Sequence, residues 1–365
     1  MPSHPLFSTF RNKNLSLGNR IVMAPMTRAK SPNGVPTNEV ASYYRRRVEG
    51  GVGLIITEGT TINRPSASND SQIPNFHTSE SLDAWARVVG QVHAAGGKIA
   101  PQLWHMGMAR VPGSGPNPGT SSEGPSGLSA AGEELSEPMT DVDIADTISA
   151  FANAAAKAKE IGFDAIELHG AHGYLIDQFF WAQSNRRTDR YGGDIIDRTR
   201  FAREVIHAVR QRVGSDFNII FRFSQWKQQD YNARLANNPL ELSALLEPLA
   251  LAGVDIFHCS TRRFWEPEFN CSNLNLAGWA KKITGKPTIT VGSVGLQGND
   301  FTHAFKGESA AVTDLGELER RLKRHEFDLV AVGRALIADA DWPSKVKRDN
   351  FSEIMPFNPA SLASL

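Results

Sequence analysis

Eight short apolar runs in succession predict an α/β fold, a single (β/α)8 TIM barrel. Amphipathic segments between the runs agree with this, and 365 residues are enough for one such barrel. Residues 1–365 are therefore read as one domain. An open doubly wound sheet is the competing architecture, and it requires a strand order that spacing alone does not display.

The runs begin near Ile21 (IVMAP), Val52 (VGLIIT), Lys98 (KIAPQLW), Phe163 (FDAIELH), Phe217 (FNIIFRF), Val254 (VDIFHCS), Pro287 (PTITVGS) and Phe327 (FDLVAVG). Bounded apolar stretches of this length read as buried strands. Among the helical segments, 140–160 opens with Thr140 and Asp143 at capping-box spacing. It carries Ile144, Ile148, Phe151, Ala155 and Ala158 on one face and ends at Gly162. Segment 198–214 sets Phe201, Val205 and Val209 on one face. The segment opening at Pro239 does so with Leu242, Leu246 and Leu249, and Gly253 closes it.

Two stretches go beyond a minimal barrel. Between Val111 and Gly132, 15 of 22 residues are Gly, Pro or Ser, too polar and too small to build a core. Residues 106–139 are accordingly expected as a loop-rich excursion over the barrel mouth, the alternative being a disordered surface loop. Residues 350–365 are loop-like and expected to fold back onto the barrel.

Lys plus Arg total 39 and Asp plus Glu total 39, so no net field favours nucleic acid or an anionic membrane. A small molecule is the expected partner. The two cysteines, Cys259 and Cys271, are too few for a four-thiolate cluster and agree with a reducing compartment. The first residues lack the basic and apolar regions of a secretion signal, and no stretch reaches the ~20 apolar residues that cross a bilayer. The expectation is a cytoplasmic protein, monomer or homodimer.

In this fold the active site lies at the C-terminal ends of the strands, so the last residues of each run are the candidates. The first two runs end in Ala24-Pro25-Met26-Thr27 and Thr57-Glu58-Gly59-Thr60, and the third offers Gln102 and Trp104 on one face. The fifth offers Arg222 and Ser224. The fourth ends in Glu167-Leu168-His169-Gly170-Ala171-His172-Gly173-Tyr174, two imidazoles and a phenol within six positions. Imidazole N–H groups can hold an oxygen that gains negative charge, and a phenol with a reference pKa of about 10 can donate a proton at neutral pH. The same histidines with Glu167 could instead ligate zinc, or simply pack; no third ligand is obvious, and the glycine turn redirects His172.

The seventh and eighth runs end in Gly292-Ser293-Val294-Gly295 and Gly333-Arg334-Ala335, where barrels of this class commonly hold a phosphate. Neither a G-x-G-x-x-G nor a P-loop motif occurs, so the phosphate is expected on a cofactor seated in the barrel mouth. Pyridoxal phosphate needs a strand-end lysine. Lys98 opens its run and Lys227 is read as lying beyond one, so a flavin mononucleotide is favoured.

Asn19-Arg20-Ile21-Val22 with Pro25-Met26-Thr27, Gln102-Leu103-Trp104-His105, and His169 through Tyr174 resemble the old yellow enzyme family of flavin-dependent ene-reductases. Ser184-Asn185-Arg186-Arg187-Thr188-Asp189-Arg190-Tyr191-Gly192-Gly193 is an especially specific match. The glycine motifs at 291–295 and 332–336 continue it, and the resemblance runs from about Leu6 to Trp342.

The resemblance implies FMN as cofactor, NADH or NADPH as reductant and an electron-poor alkene as substrate. It implies that Thr27 meets the flavin C4 carbonyl, Gln102 the pyrimidine edge and Arg222 the N1 and C2-oxygen side. Gly292, Ser293, Gly333 and Arg334 would hold the phosphate. The strand-end residues Pro25 and Gly59 are placed with the cofactor. His169 and His172 would bind the carbonyl or nitro oxygen, and Tyr174 would deliver a proton. Many relatives have asparagine where this chain has His172, which still supplies a donor. Arg186, Arg187, Asp189 and Arg190 are expected to orient their loop through ion pairs. Phe264 and Trp265 either line the substrate channel or pack in a loop, and Arg262 and Arg263 could meet a 2′-phosphate. The alternatives are a metal-dependent barrel hydrolase or lyase and a non-catalytic flavin-binding protein.

Overall fold

The computed structural model describes residues 4–297 and 301–365. A two-stranded hairpin, Phe10–Asn12 (β1) and Leu15–Leu17 (β2), precedes the barrel. The eight apolar runs then form Ile21–Met23 (β3), Leu54–Thr61 (β4), Lys98–Trp104 (β5), Ala165–His172 (β6), Asn218–Lys227 (β7), Ile256–Ser260 (β8), Thr288–Val291 (β9) and Leu329–Val332 (β10). They close in the order β10-β3-β4-β5-β6-β7-β8-β9, every pair parallel. The (β/α)8 barrel is the observed architecture.

Local chemistry accounts for the helices that separate the strands. The helix Asp141–Glu160 starts in a reciprocal capping box between Thr140 and Asp143, which satisfies backbone donors left without helical partners. Ile144, Phe151, Ala155 and Ala158 on its inner face are buried. Arg200–Val213 buries Phe201, Val205 and Val209, and Pro239–Ala252 buries Leu242, Leu246 and Leu249 under an Asn238 cap. Among the described residues, no helix is long and apolar enough to cross a membrane.

The hairpin was not expected, because three-residue strands are too short to display a period of two. Phe10, Leu15 and Leu17 enter the same buried cluster as Val22, Leu54, Ile220, Ile256 and Leu329. Asn12 Nδ2 donates to Asn218 Oδ1 at 2.8 Å, at the first residue of β7. The hairpin therefore plugs the N-terminal end of the barrel and leaves the other end open.

Residues 106–139 are held by polar contacts. Burial would raise the Glu123 carboxyl, but His105, Arg64 and Ser66 bond it and keep it well below the usual range. Arg110 grips the carbonyls of Ser114, Asn117 and Thr120 at 2.6–2.7 Å. The Arg187 guanidinium donates to the carbonyls of Pro125 and Met139 and pairs with Asp189. Guanidinium-to-carbonyl bonds thus do here what apolar burial does elsewhere.

Two features at the open end aim side chains. The pairing of β6 with β7 shifts register between Gly170 and His172, and β4 shifts against β5 between Ile56 and Gly59. Such irregularities re-aim the residues beside them. Lys227 is the last residue of β7 rather than lying beyond the strand, because the extended backbone continues past Ser224. Its ammonium meets Asp177 Oδ1 at 2.7 Å with both side chains wholly buried. Removing one partner of such a pair leaves an uncompensated charge, so Lys227→Met should cost about 3–5 kcal/mol in urea unfolding. A loss below about 1 kcal/mol would show that the pair does not hold this end of the barrel together.

Candidate active site

A cavity of about 320 Å³ opens at the C-terminal ends of the strands. All twelve residues to which the sequence analysis gives a catalytic or cofactor role border it. Pro25 and Thr27 follow β3, Gly59 lies in β4, Gln102 in β5, His169 and His172 in β6, and Arg222 in β7. Tyr174 follows β6, Gly292 and Ser293 follow β9, and Gly333 and Arg334 follow β10.

The His-x-x-His-x-Tyr segment converges as its spacing suggested. The His169 and His172 ring centroids are 5.1 Å apart, and Tyr174 lies 4.9 Å from His169 and 6.4 Å from His172. Convergence depends on backbone in the left-handed region, with φ of +66° at His172 and +79° at Gly173. Ser224 Oγ accepts from the His172 N–H at 2.9 Å, and Asp177 Oδ2 accepts from the Gly173 N–H at 2.7 Å. These two bonds hold the turn.

Burial, followed by the nearby Arg222 cation, pulls both imidazoles well below their ordinary value of 6.5. They are neutral at pH 7. His169 Nδ1 accepts from the Ala171 N–H at 3.3 Å, so its proton sits on Nε2, as a donor. Burial pushes the Tyr174 phenol up to about 12, so it too stays protonated. The Tyr174 hydroxyl donates to Gln228 Oε1 at 3.3 Å.

Glu167 shares a strand face with His169 but is bonded to other partners. Its carboxylate accepts from Gln102 Nε2 at 2.7 Å and bonds His258 Nδ1 at 2.6 Å. Among the described residues, no group of three His, Cys, Asp or Glu side chains could hold a metal. With Nε2 committed to Glu167, Gln102 keeps its Oε1 for a donor in the cavity. Arg222 is buried, donates from Nη2 to Ser260 Oγ at 3.3 Å, and has no partner for Nε among the described residues.

At the opposite wall, Arg334 Nη2 donates to Ser293 Oγ at 3.2 Å, which ties the β9 and β10 loops together. Gly292 has φ +134°, and a Cβ there would lie 2.8 Å from the Thr261 carbonyl oxygen, so only glycine fits.

Several lining residues were not anticipated. Trp226 stacks on His172 at 4.4 Å, and Ser260 bonds His172 Nε2 at 2.8 Å. Trp226 keeps the period of two from Arg222, and Ser260 ends the sixth run, so both signals were present in the sequence. Phe357 and Leu362 also border the cavity, because the C-terminal tail folds back. Arg28 holds that tail by donating to the carbonyls of Ser361, Leu362 and Ser364. Nothing in the spacing of residues 350–365 announced contacts more than 300 positions away. Phe264 and Trp265 do not border the cavity; Phe264 is buried and meets Trp265 edge-on at 5.3 Å. Arg262 borders it, over the Tyr231 ring at 5.3 Å, whereas Arg263 pairs with Glu266.

Residues 5–353 match the NADH:flavin oxidoreductase / NADH oxidase family. The chain belongs to that family. It is the family of the motif resemblance, the old yellow enzymes, and this flavin oxidoreductase uses FMN and NAD(P)H. It is 34% identical to the NADH oxidase of Thermoanaerobacter brockii over 96% of its own length, yet spans about half (52%) of that protein. With a putative 12-oxophytodienoate reductase 2 of Oryza sativa subsp. japonica it shares 33% identity, over 94% of this chain and 87% of that one. The structure of morphinone reductase in complex with tetrahydroNAD superposes with a TM-score of 0.81 at 28% identity, covering 99% of this chain and 94% of that one.

The donor set of the oxidoreductase fits FMN. The buried Arg222 Nε, without a partner among the described residues, and the Gln102 Oε1 carbonyl suit the polar side of a flavin ring. Arg334, Ser293 and the glycine loops suit a phosphate.

The backbone that carries Thr27 into the cavity is held by Glu58, whose Oε2 accepts from the N–H groups of Arg28 and Ala29 at 2.8 and 3.0 Å. Burial pushes the Glu58 carboxyl from its ordinary 4.5 up to about 7. The folded state therefore keeps a proton that the unfolded chain releases across that interval, and stability falls as pH rises through it. The loss should amount to about 3 kcal/mol and level off above the folded value. Glu58→Gln keeps an acceptor for both N–H groups and should flatten the urea midpoint between about pH 5 and 8. An unaltered pH slope in that variant would assign the effect to another group.

Proposed function

We propose that this chain is an ene-reductase acting on α,β-unsaturated carbonyl or nitro compounds. The observation that carries the reading is two neutral imidazole donors and a protonated phenol gathered on one cavity wall. Bound FMN would supply the hydride, taken from NADH or NADPH, that adds to the β-carbon of the alkene.

Thr27 and Gln102 would orient the cofactor's pyrimidine edge, with Pro25 and Gly59 beside it. Arg222 would stand where negative charge accumulates on reduction. Gly292, Ser293, Gly333 and Arg334 would hold the phosphate. As the alkene is reduced, charge flows to the conjugated oxygen. His169 and His172 donate to that oxygen and bind it more strongly as the charge develops, which lowers the barrier rather than only tightening binding. Neutral donors suit this task, because no proton has to leave them. The Tyr174 hydroxyl donates to Gln228 Oε1 before substrate binds, then turns from it and delivers that same proton to the α-carbon. The family relationship and the names of the two reductases among its relatives support this reading.

His169→Ala should lower enone turnover on the order of 10²–10³-fold, as for the loss of one oxyanion donor. Turnover at the wild-type rate would remove His169 from the mechanism. With Tyr174→Phe, bleaching of the yellow protein by NADH or NADPH should persist while its reoxidation by cyclohexenone slows. Equal slowing of both half-reactions would refute the proton-donor role. Because both imidazoles are already neutral and the phenol still protonated, cyclohexenone reoxidation should be flat from about pH 6 to 9. An inflection near the ordinary histidine value would show that one of them titrates there.

A further inference from the structure

The contacts of His172 raise a question that its neutrality alone does not answer, namely which ring nitrogen carries the proton. Nε2 lies 2.8 Å from Ser260 Oγ, and the structure gives Nδ1 no partner among the described residues. Ser260 is buried, and its hydroxyl has one proton and two lone pairs. A guanidinium only donates, so the Arg222 Nη2 contact at 3.3 Å uses one lone pair. Within hydrogen-bond reach, His172 Nε2 is the acceptor for the Ser260 proton. If Nε2 were the donor instead, a buried hydroxyl proton would be left without a partner, a cost on the order of 1–3 kcal/mol.

We propose that Ser260 is a positioning residue whose hydroxyl fixes His172 as the Nδ1–H tautomer, leaving Nδ1–H as the donor for the cavity. The two imidazoles are then set by different devices. His169 is fixed through its Nδ1 by the Ala171 N–H and presents Nε2–H. His172 is fixed through Nε2 by Ser260 and presents Nδ1–H.

Ser260 also acts from the other side of the ring. Its carbonyl accepts from Trp226 Nε1 at 3.1 Å, and that indole lies on the His172 imidazole at 26° between planes. Ser224 closes the frame, accepting from the His172 N–H and donating to the Trp226 carbonyl at 2.6 Å. Strand pairing puts Ser224 opposite Ser260, so the two hydroxyls that grip His172 are neighbours across β7 and β8. Arg222 connects the arrangement to the side of the cavity assigned above to the cofactor. The purpose of the Nδ1–H donor rests on the proposed function; the tautomer itself does not.

The test is ¹⁵N NMR of the oxidised, flavin-loaded protein labelled at histidine, with the His172 signals assigned from those missing in His172→Asn. The wild type should show a protonated Nδ1 and an unprotonated Nε2. Ser260→Ala should lose that exclusive pattern. Ser260→Thr and Ser260→Val share a shape and differ in the hydroxyl, so the threonine variant should keep the pattern and the valine variant should not. In cyclohexenone reduction, kcat/KM should be about tenfold lower for Ser260→Val than for Ser260→Thr. A protonated Nε2 in the wild type overturns the proposal, as does a pattern that survives Ser260→Ala. A wild type with the expected tautomer but no enone reduction would support the role of Ser260 and refute the ene-reductase reading. Enone reduction with His172 protonated on Nε2 would do the reverse.

Discussion

Lys227 and Asp177 meet at 2.7 Å with no exposed surface on either side chain, and much of the site's geometry hangs from that contact. Asp177 holds the Gly173 N–H with its second carboxylate oxygen. The left-handed turn at His172 and Gly173 is thereby tied to the end of β7, and with it the relative placement of two imidazoles and a phenol. Left-handed backbone at a histidine costs free energy and persists only where its surroundings over-determine it. Here they do, because the ion pair, Ser224, Ser260 and the Trp226 stack all act on one short segment. A buried ion pair is a weak source of net stability, yet it tolerates few alternative arrangements, which suits a site built on a turn.

The electrostatics follow from the same desolvation. Arg222 is a buried cation at the cavity floor, and its presence adds to burial in keeping both imidazoles neutral. Behind it, Glu167 supplies the compensating charge and is shared between Gln102 and His258. The Arg222 charge thus faces the part of the cavity that suits the flavin, while His169, His172 and Tyr174 are neutral donors and the Lys227–Asp177 pair beneath them is compensated internally. In the proposed reaction an oxygen acquiring charge would meet preorganised dipoles at those donors, and no ionised side chain would have to rearrange.

Much of this was readable in the residues. The eight apolar runs are the eight barrel strands, the capping box at Thr140 and Asp143 forms, and the twelve strand-end residues given catalytic or cofactor roles border the cavity. Ser224, also a strand-end candidate, instead bonds the backbone of His172 and Trp226. These features are local or periodic, and the barrel's topology turns strand ends into neighbours. What escaped was non-local or masked by composition. The Phe10–Leu17 hairpin is too short for a period, and Lys227 was excluded because the fifth strand was ended too early. For Phe264 and Trp265 the sequence left channel lining and loop packing open, and packing is the one observed. The C-terminal tail folds back as expected, but its seat at the cavity depends on distant partners, Arg28 for the carbonyls of Ser361, Leu362 and Ser364 and Ala310 for the backbone of Phe357.

Fold class, the inventory of donors and the end of the barrel at which they gather follow from the residues alone, since apolar periodicity and strand-end position are properties of the chain. The state of those donors is set by packing in three dimensions. Whether an imidazole is neutral, which nitrogen keeps its proton and which way an amide faces depend on burial and on partners from distant strands. Ser260 stands 88 residues from His172, and no spacing rule connects them. A hydroxyl becomes a tautomer lock only when β7 and β8 bring it to a nitrogen that has lost its water.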